Sequence, residues 1–132
     1  MLLNVSYNNP EVTNSINNLV GKPFTLRERI QMNGIGSPKL SINSSSIGIH
    51  NLLILDNNRN VCNIEMRPKG IIIGFRSLLE SYALVIPFYK LSVYKGKSDE
   101  YSIYKDHHFI KVKADKKVHE FMKKVLKFRA TT

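Results

Sequence analysis

The stretch from about Asp115 to Phe128 constrains this chain more than any other. At roughly 100° per residue, Val118, Phe121, Met122, Val125, Leu126 and Phe128 fall on one continuous arc. Lys116, Lys117, His119, Glu120, Lys123, Lys124 and Lys127 fall on the opposite one. A helix divided in this way must lay its apolar stripe on another element, and the short β-type runs that precede it are the nearest partner. The expected architecture is therefore mainly β with a C-terminal α-helix at about 115–128. Burying those apolar side chains at ~1.5–3 kcal/mol each is worth on the order of 10 kcal/mol before entropy is subtracted. That is comparable to the whole stability of a small domain, so the helix reads as a structural lid and not as a detachable membrane anchor.

The runs ahead of it alternate. Cys62, Ile64 and Met66 are interleaved with polar residues, and Arg67-Pro68-Lys69-Gly70 has the proline and closing glycine of a tight turn, which predicts a hairpin into Gly70–Arg76. Ile71-Ile72-Ile73 and Tyr82–Ile86 are apolar on both faces and are expected to be central strands, covered on each side. Pro87 marks a bend before Tyr89, Leu91 and Val93. Strands at Glu100–Lys105 and His107–Ala114 follow a turn at Lys95–Asp99, the second with Ile110, Val112 and Ala114 inward, and Asp115 is the N-cap of the helix. Nearer the start, Asn9-Pro10-Glu11 and Gly21 bracket a short helix at about 10–20. Pro23–Met32 reads as an exposed or edge strand, with Phe24, Leu26, Ile30 and Met32 set against charged neighbours. A short strand at about 39–43, a serine turn at 44–46 and a turn at Asp56–Asn60 complete the pattern.

At 132 residues the chain is expected to be a single domain, 1–132, with residues 1–22 as an N-terminal extension. The lone Cys62 excludes an internal disulfide and alternates with Ile64 and Met66 as a small core residue would. The opening residues lack the pattern of a secretion signal, and no later stretch is long and apolar enough to span a bilayer, so a cytoplasmic protein is expected. Charge is unevenly placed. Residues 1–65 hold five basic and four acidic side chains, whereas residues 66–132 hold fifteen and six. The back half carries the field that attracts phosphates, anionic lipids or acidic proteins, although lysine-rich surfaces also serve solubility.

Candidate chemistry is thin. His107 and His108 are adjacent, and within a strand their side chains would point to opposite faces, unable to chelate one metal. Asp99-Glu100 borders a turn, where paired acids are usually solvated, and Gly34-Ile35-Gly36 lacks the third glycine of a nucleotide fingerprint. No enzyme activity, cofactor or metal is expected.

The order of hairpins, the segment Ile86-Pro87-Phe88-Tyr89-Lys90-Leu91 and the single terminal helix resemble the pleckstrin-homology-like superfold, in its bacterial and GRAM-type branches. The resemblance covers about residues 46–129. It implies a half-open antiparallel β-sandwich of two nearly orthogonal sheets, capped by the helix at about 115–128, and a binding scaffold in place of an enzyme. The expected partner is another protein, or a second copy of the chain, met through the edge strand at Pro23–Met32 or the groove between helix and sheet. Anionic lipid headgroups or a membrane surface, met by basic turns converging on one rim, form the first alternative. Nucleic acid, met by the interleaved aromatics and lysines, forms the second. The candidate ligand-binding residues are Arg67, Lys69, Lys95, Lys97, Lys111 and Lys113.

Overall fold

Three loops of two residues each, Pro68-Lys69, Leu78-Leu79 and Asp106-His107, set the register of most of the sheet. The computed structural model describes residues 1–55, 60–96 and 99–131. Among the described residues the strands are β1 (Leu2–Asn4), β2 (Leu40–Ser45), β3 (Val61–Arg67), β4 (Gly70–Ser77), β5 (Glu80–Pro87), β6 (Ser92–Lys95), β7 (Glu100–Lys105) and β8 (His108–Lys113). The helices are α1 (Pro10–Val20), α2 (Leu26–Gln31), α3 (Ile47–Leu53) and α4 (Lys116–Ala130). The strands run antiparallel in the order β1-β5-β4-β3-β2-β8-β7-β6. β2 belongs to both halves: Leu40 and Ser41 pair with β3, and after a register shift between Ile42 and Ser44 its remainder pairs with β8. The fold is mainly β with a C-terminal helix and a short N-terminal one, as the sequence predicts.

Alternation decides which side chains enter the core. Cys62, Ile64 and Met66 of β3 meet Ile71, Ile73 and Phe75 of β4, and Ile110 and Val112 of β8 join them. α4 starts where β8 finishes and adds Val118, Phe121, Met122 and Val125 to this core. Its far end is held by Phe128, whose ring lies 5.7 Å from Phe24 and 6.0 Å from Phe88. α3 sits at the opposite strand ends, where β2 and β4 finish and β8 begins, and buries Ile49 and Leu53. The carbonyl of Leu52 accepts the Ser77 hydroxyl, and Ser46 bonds to Phe109 in both directions. Both ends of the curved sheet are therefore closed by a helix.

A second apolar cluster lies on the outer face. Ile16 and Val20 of α1 pack on Ala83 and Val85 of β5, with Ile72 beside them. This explains why β4 and β5 are apolar on both sides: the main core takes one face and α1 the other. α1 carries the caps read from the sequence, since Asn9 Oδ1 accepts from the Glu11 amide at 3.0 Å and Gly21, at φ 88°, closes the helix. The joint between α1 and the sheet is tight at Gly70. A Cβ there would touch the Ile86 carbonyl oxygen and lie 2.6 Å from Val20 Cγ1 and 2.9 Å from Pro87 Cα.

Several local expectations are overturned or extended, among them the serine turn at 44–46: Ser44 and Ser45 continue β2 and pair with β8, and Ser46 precedes α3. Pro23–Met32 is not an edge strand but contains α2, started by a capping box: the Glu28 amide donates to Thr25 Oγ1 at 3.3 Å and the Thr25 amide to Glu28 Oε1 at 2.9 Å. Leu26 and Ile30, which supported the alternating pattern, are four apart and lie on the same side of this helix. Both are exposed. β1, a strand with no alternation signal of its own, pairs with β5 through Leu2, Leu3 and Asn4. The turns read at Asp56–Asn60 and Lys95–Asp99 lie partly outside the described residues.

Candidate cationic interface

Four lysines from three elements meet where α4 leaves the sheet. Asp115 Oδ1 accepts from the Val118 amide at 3.0 Å and fixes the first turn of α4. The Ala114 amide donates to the Asp99 carbonyl at 2.7 Å, which holds the β6–β7 connection beside that turn. One turn further on, the Tyr101 hydroxyl and His119 Nδ1 are 2.9 Å apart and their rings meet edge to face at 5.2 Å. Burial holds the Tyr101 hydroxyl above the usual phenol range, so it stays neutral at physiological pH. Between these anchors lies a concavity of about 610 Å³, bordered by Lys95 of β6, Lys113 at the end of β8, and Lys116 and Lys123 of α4.

These lysines are exposed, and among the described residues none of them enters an ion pair. The ion pairs lie elsewhere: Arg67 with Glu65, and Lys90 and Lys105 with Asp106 at 3.6 and 3.3 Å. Asp99 and Glu120 also border the concavity and temper its field, while Asp115 is committed to the helix cap. Among the described residues β6 pairs with β7 alone, so its other edge offers backbone N–H and C=O groups beside the lysines.

The six residues singled out from the sequence are dispersed by the fold. Lys95 and Lys113 border the concavity, and Lys97 lies outside the described residues. Lys111 extends over the Phe109 ring at 5.8 Å on the outer face of β8. Arg67 is an internal tie, with Nη1 donating to Asn17 Oδ1 at 3.1 Å and to the Gly21 carbonyl at 2.9 Å, so its guanidinium ends α1. Lys69 is exposed, but its carbonyl accepts from Phe88, next to the far end of α4. The two basic turns thus stand at opposite ends of a helix stretch of ~18 Å. They do not form one rim. Lys116 and Lys123 complete the concavity, and the sequence placed them only on a solvent arc.

The remaining reactive side chains are engaged in packing. Cys62 is buried, and burial pushes its thiol up to about 12, so it is no nucleophile at neutral pH. His107 sits in the β7–β8 loop and not in the strand, so its ring lies 4.2 Å from that of His108 instead of on the opposite face. Among the described residues no group of three or more His, Cys, Asp or Glu side chains is placed to hold a metal ion, and no helix is long and apolar enough to cross a membrane. Compared with known proteins, the chain matches no protein-family model, no curated sequence and no solved structure.

Proposed function

We propose that the chain is a non-enzymatic binding module of the pleckstrin-homology-like kind that engages an acidic, extended segment of another protein at the cationic concavity beside β6 and α4. The observation that carries this reading is the convergence of Lys95, Lys113, Lys116 and Lys123 on one concavity with no ion pair to neutralise them among the described residues. An extended segment can add to the free edge of β6 through its main chain and present carboxylates to the lysines. Two antiparallel halves sharing β2, the bend at Pro87 and a terminal helix laid over the core support the scaffold. The burial of Cys62 and the pairing of His119 with Tyr101 support a binding role over a catalytic one.

The test is a fluorescence-anisotropy titration of the whole chain with a labelled octaglutamate peptide, a single-stranded oligonucleotide and phosphatidylserine vesicles, at two salt concentrations. The peptide should bind, and the Lys95→Glu/Lys116→Glu double variant should weaken it at least tenfold with an unchanged melting temperature. Preferential binding of the oligonucleotide or the vesicles would replace the protein partner, and equal peptide affinity in the double variant would remove the site.

A further inference from the structure

We infer that the part of the outer sheet face left uncovered by α1 is a second binding site, built for a small amphiphile with one anionic head, such as an aliphatic carboxylate. Strand register sets Asn63, Gly74, Ala83 and Leu3 side by side across β3, β4, β5 and β1. α1 covers Val85 and much of Ala83, and beside it Gly74 keeps the sheet face low, with the Asn63 side chain leaning over it so that Oδ1 lies 2.8 Å from where a Cβ would stand. The result is a depression of about 730 Å³, walled by Val5, Val61 and Ile72 and floored by Gly74 and Ala83. That volume lies within the range of small-molecule sites, which are mostly apolar with a few placed polar groups.

Charge selects the head group. Lys39 and Arg76 border the depression, both exposed, and neither is in an ion pair among the described residues. The acid at the rim, Glu65, is already matched by Arg67. The depression therefore offers an apolar floor beside two unneutralised cations. A free phosphate or a sugar phosphate would leave that floor unused, whereas an alkyl chain with a terminal anion satisfies both features. Each methylene laid on the floor should raise affinity by up to about fourfold. This surface is separate from the lysine concavity at α4, and its occupant does not depend on the protein partner proposed there.

The experiment is an NMR titration of the ¹⁵N-labelled chain with octanoate, decanoate and dodecanoate below their micelle concentrations, with decyltrimethylammonium as the opposite-charge probe. Shifts centred on Asn63, Gly74 and Ala83, with affinity rising along the acid series and at least tenfold over the cation, are expected. Gly74→Val, whose Cβ must push the Asn63 amide aside, should crowd the depression and weaken decanoate at least tenfold. Lys39→Glu/Arg76→Glu, which alters only exposed side chains, should weaken decanoate and admit the cation. Shifts centred elsewhere, equal binding of acid and cation by the unaltered chain, or decanoate affinity unchanged by the charge reversal would overturn the inference.

Discussion

α1 and α4 are both amphipathic helices laid on the same sheet, and they contribute in different ways. α4 spans 15 residues, places four buried side chains in the main core and reaches Phe24 and Phe88 through Phe128. α1 spans 11 residues, buries Ile16 and Val20, and rests on the outside of strands whose inner face is already packed. Removal of α4 would open the core to water, whereas removal of α1 would expose only the outer faces of β4 and β5. Their polar faces differ in kind as well. α4 carries lysines, two of them at the cationic concavity, and α1 carries asparagine, serine and threonine. The helix that holds the fold together also contributes Lys116 and Lys123 to the cationic concavity.

Paired substitutions separate the two helices. Phe121→Asp should abolish the cooperative melt, because it removes a large buried side chain and buries a charge without a partner, a loss on the order of 5 kcal/mol. Ile16→Asp should cost about 2–3 kcal/mol and keep a single sharp transition at lower temperature, since Ile16 lies at the rim of the outer cluster. A melt lost equally in both variants would erase the distinction between the two helices. Gly70→Ala should come next, lowering stability by about 1–3 kcal/mol as its Cβ forces apart β5 and α1. Circular dichroism melts check all three.

The smallest effect concerns pH. His108 titrates below its ordinary value of 6.5, first because burial disfavours its charged form and then because His107 adds like charge. A histidine with a depressed folded-state pKa takes up its proton more readily in the unfolded chain. Its share of stability is complete above pH 6.5 and falls as the solution is acidified from there. Melting temperatures between pH 7.5 and 5 should decline, and His108→Gln should flatten that decline; an unchanged slope would place the titrating group elsewhere.

α1 and α4 are the most legible elements in the sequence. Asn9, Pro10 and Gly21 delimit α1, and the apolar arc of α4 delivers Val118, Phe121, Met122 and Val125 to the core. α2 escapes the alternation pattern because Leu26 and Ile30 suit a period of two as well as a spacing of four, and it is the Thr25-to-Glu28 box that decides for the helix. β1 is only three residues long and takes its identity from β5, a contact between residues some eighty positions apart. The same limit hid the sites. Lys95 and Lys113 could be named as exposed cations, but their company with Lys116 and Lys123 depends on the path of α4 across the sheet end. Gly74 and Ala83 are ordinary small residues until strand pairing sets them next to each other.

The two-residue loops at Leu78-Leu79 and Asp106-His107 both start with a left-handed residue, at φ 57° and 55°. Aspartate tolerates that geometry readily, whereas leucine lacks a short polar side chain to offset the crowding of its Cβ. Leu78 is 59% exposed, so exchanging it for asparagine would relieve conformational tension at a position that borders neither cavity. A thermostabilised form of the chain is thus within reach of one solvent-facing substitution at a hairpin tip, with a gain of about 0.5–1 kcal/mol.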